Sequence, residues 1–171
     1  MVRPTVIPRA IDDARYRGHV PFISTSYNFF VHMHLAQSAT FRARHQQLKE
    51  VGLTNAEFQL LLVVDGLGGS PIPADIARWM MRKPPTTTGL LHRMERNGLV
   101  RRIPDPNNRR LRRVVMTEKG EKALADGKER DITRAIMGSL TNGELEQLWS
   151  LLQKVQDAAL RLIEEHGFLR G

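Results

Sequence analysis

The apolar positions of this chain fall into runs of helical period separated by strongly marked turns. From residue 24 to 51 no proline or glycine interrupts, and Tyr27, Phe30, Val31, His34, Leu35 and Phe41 recur near helical spacing, which predicts a long first helix. At Leu53-Thr54 a second helix opens. There the Thr54 hydroxyl can accept from the Glu57 N–H, the Glu57 carboxylate can answer at the Thr54 N–H, and Leu53 and Phe58 stand at the two positions of a hydrophobic staple. Gly66-Leu67-Gly68-Gly69 ends it. A short third helix over 73–81 turns Ile76, Ala77 and Met80 inward, and Arg82-Lys83-Pro84-Pro85 makes the next turn. The fourth helix carries Pro85 in its first turn, puts Thr87, Leu90, Leu91 and Met94 on one apolar face, and closes at Asn97-Gly98 in a left-handed end.

Two short β-rich runs follow, 99–103 and 111–116, joined by the turn residues Pro104-Asp105-Pro106-Asn107-Asn108, and they predict a two-stranded wing. A further helix should start after Thr117 and run to about residue 137, weakened by about 1 kcal/mol at each of Gly120 and Gly127. The device of the second helix then repeats: Leu140-Thr141 with Glu144 and Leu145 opens a last helix lasting to about residue 166. Along it Leu145, Leu148, Leu152, Val155, Ala159 and Leu162 form a heptad stripe, which a homodimer interface explains economically. The fold class expected is mainly α: a winged helix-turn-helix domain with an α/β wing, flanked by N- and C-terminal dimerisation helices. Its parts are an arm (1–21) with room for a short helix at 11–16, a dimerisation helix (22–52), a winged helix-turn-helix region (53–117), and a linker helix plus dimerisation helix (118–171), all in one structural domain.

Charge changes this picture most. Between Arg78 and Arg113 lie eleven of the 26 basic residues and only two acids, Glu95 and Asp105, while the whole chain carries +8, so the remainder is close to neutral. A positive surface concentrated around a helix-turn-helix pattern fits one face docked on a polyanion, nucleic acid foremost. Lys83, Thr86, Thr88, His92 and Arg93 around the fourth helix, with Arg109, Arg110 and Arg112 on the wing, are the candidate DNA contacts: small polar residues open a helix of major-groove length, and long cationic side chains reach phosphates or a narrow minor groove. The plainer alternatives are a solvated strand surface for the wing arginines, and an ion pair of Arg93 with Glu95 or another acid.

With 171 residues, 41% of them hydrophobic, the chain can bury a core. The absence of cysteine excludes disulfides, Cys-ligated metal and a thiol redox sensor. No stretch has the apolar length of a membrane span, and the expected compartment is the cytoplasm. His32 and His34 point to different sides of a helix and lack a third ligand, so neither a metal nor a cofactor is expected. No catalytic residues are expected either, because no phosphate-binding glycine loop, zinc-protease pattern or nucleophile elbow is present.

The ordered set of motifs resembles the multiple-antibiotic-resistance regulator (MarR) family of winged helix-turn-helix transcription factors. It comprises Leu53-Thr54 with Phe58, Asp75-Ile76-Ala77, Met94-Glu95, Gly98-Leu99-Val100, Asp105-Pro106 with Arg109-Arg110, and Thr117, Lys119 and Gly120. The resemblance implies a homodimer held by the first and last helices, a pseudo-palindromic double-stranded DNA operator, and a small organic effector, an aromatic acid or acyl thioester, in a crevice between dimer helices and wing domain. Tyr27, Phe30, Val31, His34, Phe58 and Leu62 are the apolar candidates to line such a pocket, dimer core being the alternative for each. The function expected is therefore a sequence-specific regulator, a repressor released by its effector; the alternative is a ligand-independent or architectural DNA-binding protein. Three departures bear on it. Asn108 stands where the family usually has Asp, Gly89 replaces a long polar residue on the recognition helix, and Pro84-Pro85 removes two N–H donors from its entrance.

Overall fold

The computed structural model describes residues 25–129 and 132–165, the side chains of 25–28 excepted. It forms two compact units divided between Arg130 and Asp131. The first contains α1 (Thr25–Glu50), α2 (Asn55–Gly66), α3 (Pro73–Trp79), α4 (Pro84–Arg96), strands β1 (Val100–Pro104) and β2 (Arg112–Met116), and α5 (Glu118–Glu129). The second contains α6 (Ile132–Met137) and α7 (Asn142–Glu165). The arm expected over 1–21, the short helix at 11–16 and the end of the last helix at 166 lie outside the described residues.

Each helix start follows from its local chemistry. At α2 the capping box is complete: Glu57 N–H donates to Thr54 Oγ1 at 3.3 Å, and Thr54 N–H donates to Glu57 Oε2 at 2.9 Å. The staple residues Leu53 and Phe58 both enter the core. At α4 the prolines occupy the first two positions, so the helix begins at Pro84 instead of within the turn, and Thr86 and Thr87 N–H both donate to Lys83 O. Its end is the left-handed one expected, with Gly98 at φ 69° and Leu99 N–H donating to Met94 O at 2.9 Å.

The core of the first unit joins Leu48 of α1, Leu60, Leu61 and Val64 of α2, Ile76 of α3, Leu91 and Met94 of α4, Val100 and Val114 of the wing and Leu124 of α5. The strands pair antiparallel with Val100 opposite Met116 and Pro104 opposite Arg112. Val114 N–H also donates to Pro71 O at 2.9 Å, which fixes the wing to the chain entering α3.

The segment after the wing, expected to be helical from Thr117 to about residue 137, is helical over Glu118–Glu129 and Ile132–Met137, and residues 130 and 131 between them lie outside the described residues. The glycines of α5 are also more than weak points. A Cβ at Gly120 would stand 2.0 Å from Leu99 O and one at Gly127 would stand 2.5 Å from the Phe58 ring, so both positions require glycine for close packing. Thr117 Oγ1 and Lys119 Nζ meanwhile donate to the Gly98 and Asn97 carbonyls. The start of α5 thereby clamps the exit of α4.

In the second unit α7 opens on the capping box expected, with Glu144 N–H donating to Thr141 Oγ1 at 3.3 Å and Thr141 N–H to Glu144 Oε2 at 2.8 Å. The Thr141 donors hold the Glu144 carboxyl below the usual carboxylate range.

Candidate nucleic-acid interface

The N-terminal turns of α4 and the wing come together on one side of the first unit. Thr88, Arg102, Arg110 and Arg112 line a recess of about 320 Å³ together with Pro73 and Leu111, so the recognition-helix threonine and the wing arginines share one surface. Thr87 is buried whereas Thr86, Thr88, Gly89, His92 and Arg93 are exposed, as the helical periodicity requires. Lys83 caps α4 through its backbone and leaves its ammonium exposed.

The wing is shaped by one buried carboxylate. Asp105 Oδ1 accepts the N–H groups of Asn107 at 2.7 Å and Asn108 at 2.8 Å, and its Oδ2 accepts Arg113 Nε. The Asn107 N–H foremost, then the Arg113 guanidinium and the Asn108 N–H, hold the Asp105 carboxyl below the usual range against the opposing effect of burial. Arg113 Nη1 donates onward to Ser70 O at 2.9 Å, so this arginine ties the tip to the body of the unit. Asn108 Oδ1 accepts the backbone N–H of Arg110 at 3.0 Å. Asn108 therefore orders the turn and leaves the guanidinium of Arg110 free of it.

The basic residues sort into two groups. Arg93 Nε donates to Glu57 Oε1 at 3.3 Å, Arg102 lies 3.9 Å from Glu95, Arg113 pairs with Asp105, and Arg78 lies 3.6 Å from Asp75. The acid that meets Arg93 is thus the buried Glu57 of the α2 capping box and not its neighbour Glu95, whose Oε1 accepts the Arg102 N–H at 3.0 Å. Among the described residues Lys83, Arg109, Arg110 and Arg112 have no acidic partner, although Arg112 Nη1 donates to the Arg109 carbonyl at 3.0 Å. The charge they carry is available to a ligand. Arg113, which the sequence reading did not single out, and Glu57, read there only as a cap, are the residues that hold this surface in shape. The Asp105-Pro106 turn was the available signal for Arg113.

The proposed pocket residues are not gathered in the same way. Phe58 is a core residue, 3% exposed, with Gly127 against its ring and the Arg44 guanidinium 5.2 Å from its centroid. The reason is the staple, which turns the side chain inward beside Leu48. Leu62 is half-buried against the core, Val31 is half-buried, and Phe30 and His34 are exposed on α1. The Tyr27 side chain lies outside the described residues. On α7, Leu145 is half-buried and Leu148, Leu152, Val155, Ala159 and Leu162 are exposed. Among the described residues no group of three or more His, Asp or Glu is placed to hold a metal ion, and no helix is long and apolar enough to cross a membrane.

A short helix, a turn, a second helix with an exposed polar start, and a basic two-stranded wing define a winged helix-turn-helix protein. The MarR family profile matches residues 53–111. The chain is 35% identical over 91 residues to the transcriptional activatory protein BadR of Rhodopseudomonas palustris, the match covering 52% of each. It is 33% identical over 116 residues to the transcriptional repressor NicR of Pseudomonas putida, covering 66% of this chain and 72% of NicR. The chain thus spans about half the length of BadR and more of NicR. The fold is shared with the organohalide-sensing regulator RdhR-CbdbA1625 bound to 2,4-dichlorophenol (TM-score 0.74, 23% identity, 88% of this chain and 91% of that one). It is shared also with a mutant MarR from E. coli complexed with operator DNA (TM-score 0.67, 23% identity, 77% and 99%). CouR from Rhodococcus jostii RHA1 bound to p-coumaroyl-CoA has it too (TM-score 0.69, 22% identity, 78% and 95%). The chain belongs to the MarR family, whose members are transcriptional regulators and not enzymes.

Proposed function

We propose that this protein is a cytoplasmic repressor that binds a pseudo-palindromic duplex as a homodimer and is released from it by a small organic effector. The observation that carries the DNA-binding part is the convergence of Thr88 with Arg110 and Arg112 around one recess, next to cations without acidic partners. In that geometry α4 enters the major groove through Thr86 and Thr88 while the wing arginines take phosphates or the adjacent minor groove. Lys83 holds a phosphate at the helix entrance. His92 and Arg93 lie one turn further along α4, and the bond of Arg93 to Glu57 makes it a residue that positions the helix. The exposed stripe of α7 supports the dimer: Leu148, Leu152, Val155, Ala159 and Leu162 pack against the same helix of a second copy, with Leu145 at its start. The parts keep the bounds set out above, with 22–52 and 118–171 serving the dimer and 53–117 the DNA.

The effector is an aromatic acid or acyl thioester, a class supported by the 2,4-dichlorophenol and p-coumaroyl-CoA held by two proteins of the same fold. Its pocket forms beside Tyr27, Phe30, Val31 and His34 of α1 with Phe58 and Leu62 of α2, once the second subunit covers α1. An effector that favours one spacing of the two recognition helices shifts the population away from DNA, and DNA weakens effector binding by the same factor. Selecting duplexes from a random-sequence pool with the full chain tests the reading. A recovered inverted repeat with half-site centres about 34–36 Å apart is the expected result; recovery of no common sequence would favour the architectural alternative, which the bare Gly89 position on α4 also supports. A panel of phenolic acids and acyl thioesters added to the complex tests release.

A further inference from the structure

The C-terminal end of α3 carries an apolar step that the functional reading leaves unused. Met81 N–H donates to Arg78 O at 3.1 Å and Arg82 N–H to Ala77 O at 3.0 Å, the paired bonds of a left-handed helix end. The residue in the left-handed position is Met81, with φ 50°, and it is the one non-glycine residue with positive φ among those described. Glycine is the ordinary occupant because a Cβ is strained there. The Met81 side chain is 61% exposed and that of Trp79 beside it 66% exposed, so a strained backbone presents two large apolar groups to solvent. Strained backbone positions cluster at ligand clamps and switch regions, which makes this one a candidate contact. Arg78 precedes these two residues and Arg82 and Lys83 follow them, and Asp75 is the acid beside them, 3.6 Å from Arg78.

We propose that Trp79 and Met81 form an apolar seat for the sugar-phosphate backbone of duplex DNA at the edge of the major groove. In this seat the deoxyribose C–H surface packs on the side chains, and the flanking phosphates are held by Arg82 and Lys83. The inference rests on the DNA-binding reading above and adds residues to its interface. Charge complementarity selects the occupant, since Arg82 and Lys83 have no acidic partner among the described residues. Continuity selects it too: Lys83 is the cap of α4, so a duplex that receives Thr86 and Thr88 passes directly beside Met81. In a helix-turn-helix the first helix crosses the backbone while the second enters the groove. A sugar takes up apolar surface without reading a base, so this contact sets affinity and register while leaving the preferred sequence unchanged.

Full-length protein labelled with 5-fluorotryptophan has two fluorine resonances, since the chain holds two tryptophans, and Trp79→Phe assigns them. On adding the duplex selected by the chain, the Trp79 resonance should lose its H2O/D2O isotope shift. Trp79→Ala should weaken binding about tenfold with an unchanged salt slope, because no phosphate contact is lost. Met81→Gly should raise the melting temperature while weakening binding, the opposite signs that a purely structural residue would not give. Binding by the wild type with Trp79 still solvent-exposed overturns this inference alone. Trp79 protection that grows with protein concentration in the absence of DNA also overturns it and assigns the face to a second copy. Failure of the wild type to select any duplex overturns the DNA reading together with it. Because the isotope shift is read on the wild-type sequence, it decides the matter even where a variant folds poorly.

Discussion

Helices α2 and α7 open on the same device and end in opposite environments. Both begin with a leucine, a capping threonine and a glutamate three residues on that closes the box. Behind the cap of α2, Leu60, Leu61 and Val64 are wholly buried, whereas behind that of α7 Leu148 is 38%, Leu152 44%, Val155 50% and Leu162 54% exposed. A capping box is satisfied within four residues, so it forms wherever its sequence occurs. Burial of an apolar stripe depends on a second element. For α2 that element is the rest of the winged region; for α7 it is the proposed second subunit.

The sharpest way to break this comparison is to charge each stripe. Leu152→Asp should leave the winged region folded by circular dichroism and convert the protein to a monomer by light scattering, because a carboxylate inside a dimer seam loses its hydration. A dimer that persists would place the interface elsewhere. Leu91→Ala, within the α4 face that packs on α2, should instead destabilise folding by about 2–5 kcal/mol in denaturant titration, with association lost only as the fold is lost.

The DNA-facing surface should answer more gently. Arg110→Ala removes a cation that no acid among the described residues neutralises, so affinity should fall and the salt slope should flatten by about one phosphate equivalent. An unchanged slope would remove the wing tip from the interface. Gly89→Ala should stabilise α4 by about 1 kcal/mol in thermal unfolding, since an added Cβ there meets nothing within 4 Å. Loss of stability would mean that the backbone at this position approaches something closely.

The smallest effect concerns pH. Asp105 has its carboxyl lowered in the folded chain, so the stability it lends the wing is present above the ordinary aspartate value of about 3.9 and is lost as pH falls through the lowered value. Amide exchange at Asn107 and Asn108 should therefore stay slow at about pH 4 and rise only in more acid solution. Asp105→Asn should remove this acid limb. Exchange that rises already near the ordinary aspartate value would show that the carboxylate is not held by these donors.

Legibility followed the range of the forces involved. The caps at Thr54 and Thr141, the left-handed end at Gly98 and the buried face Thr87, Leu90, Leu91 and Met94 are decided within one or two turns, and the sequence alone places them. The wing turn is local in the same sense, because Asp105 serves N–H groups two and three residues ahead. What escaped was set by distant partners. The acid that meets Arg93, left open between Glu95 and another, is Glu57, 36 residues away; Arg113 reaches Ser70 across 43; and Gly120 and Gly127, read as weak points of a helix, are sites of close approach to Leu99 and Phe58. Phe58, read both as a staple and as a pocket residue, enters the core as the staple requires.

The central claim, a dimer that reads a two-fold DNA sequence through α4 and the wing, is tested most directly by titrating the full chain into the selected inverted repeat and into random duplex at one fixed salt concentration. Two chains per repeat and an affinity ratio of about a thousandfold or more over random duplex are expected. One chain per site, or a ratio near one, would contradict it.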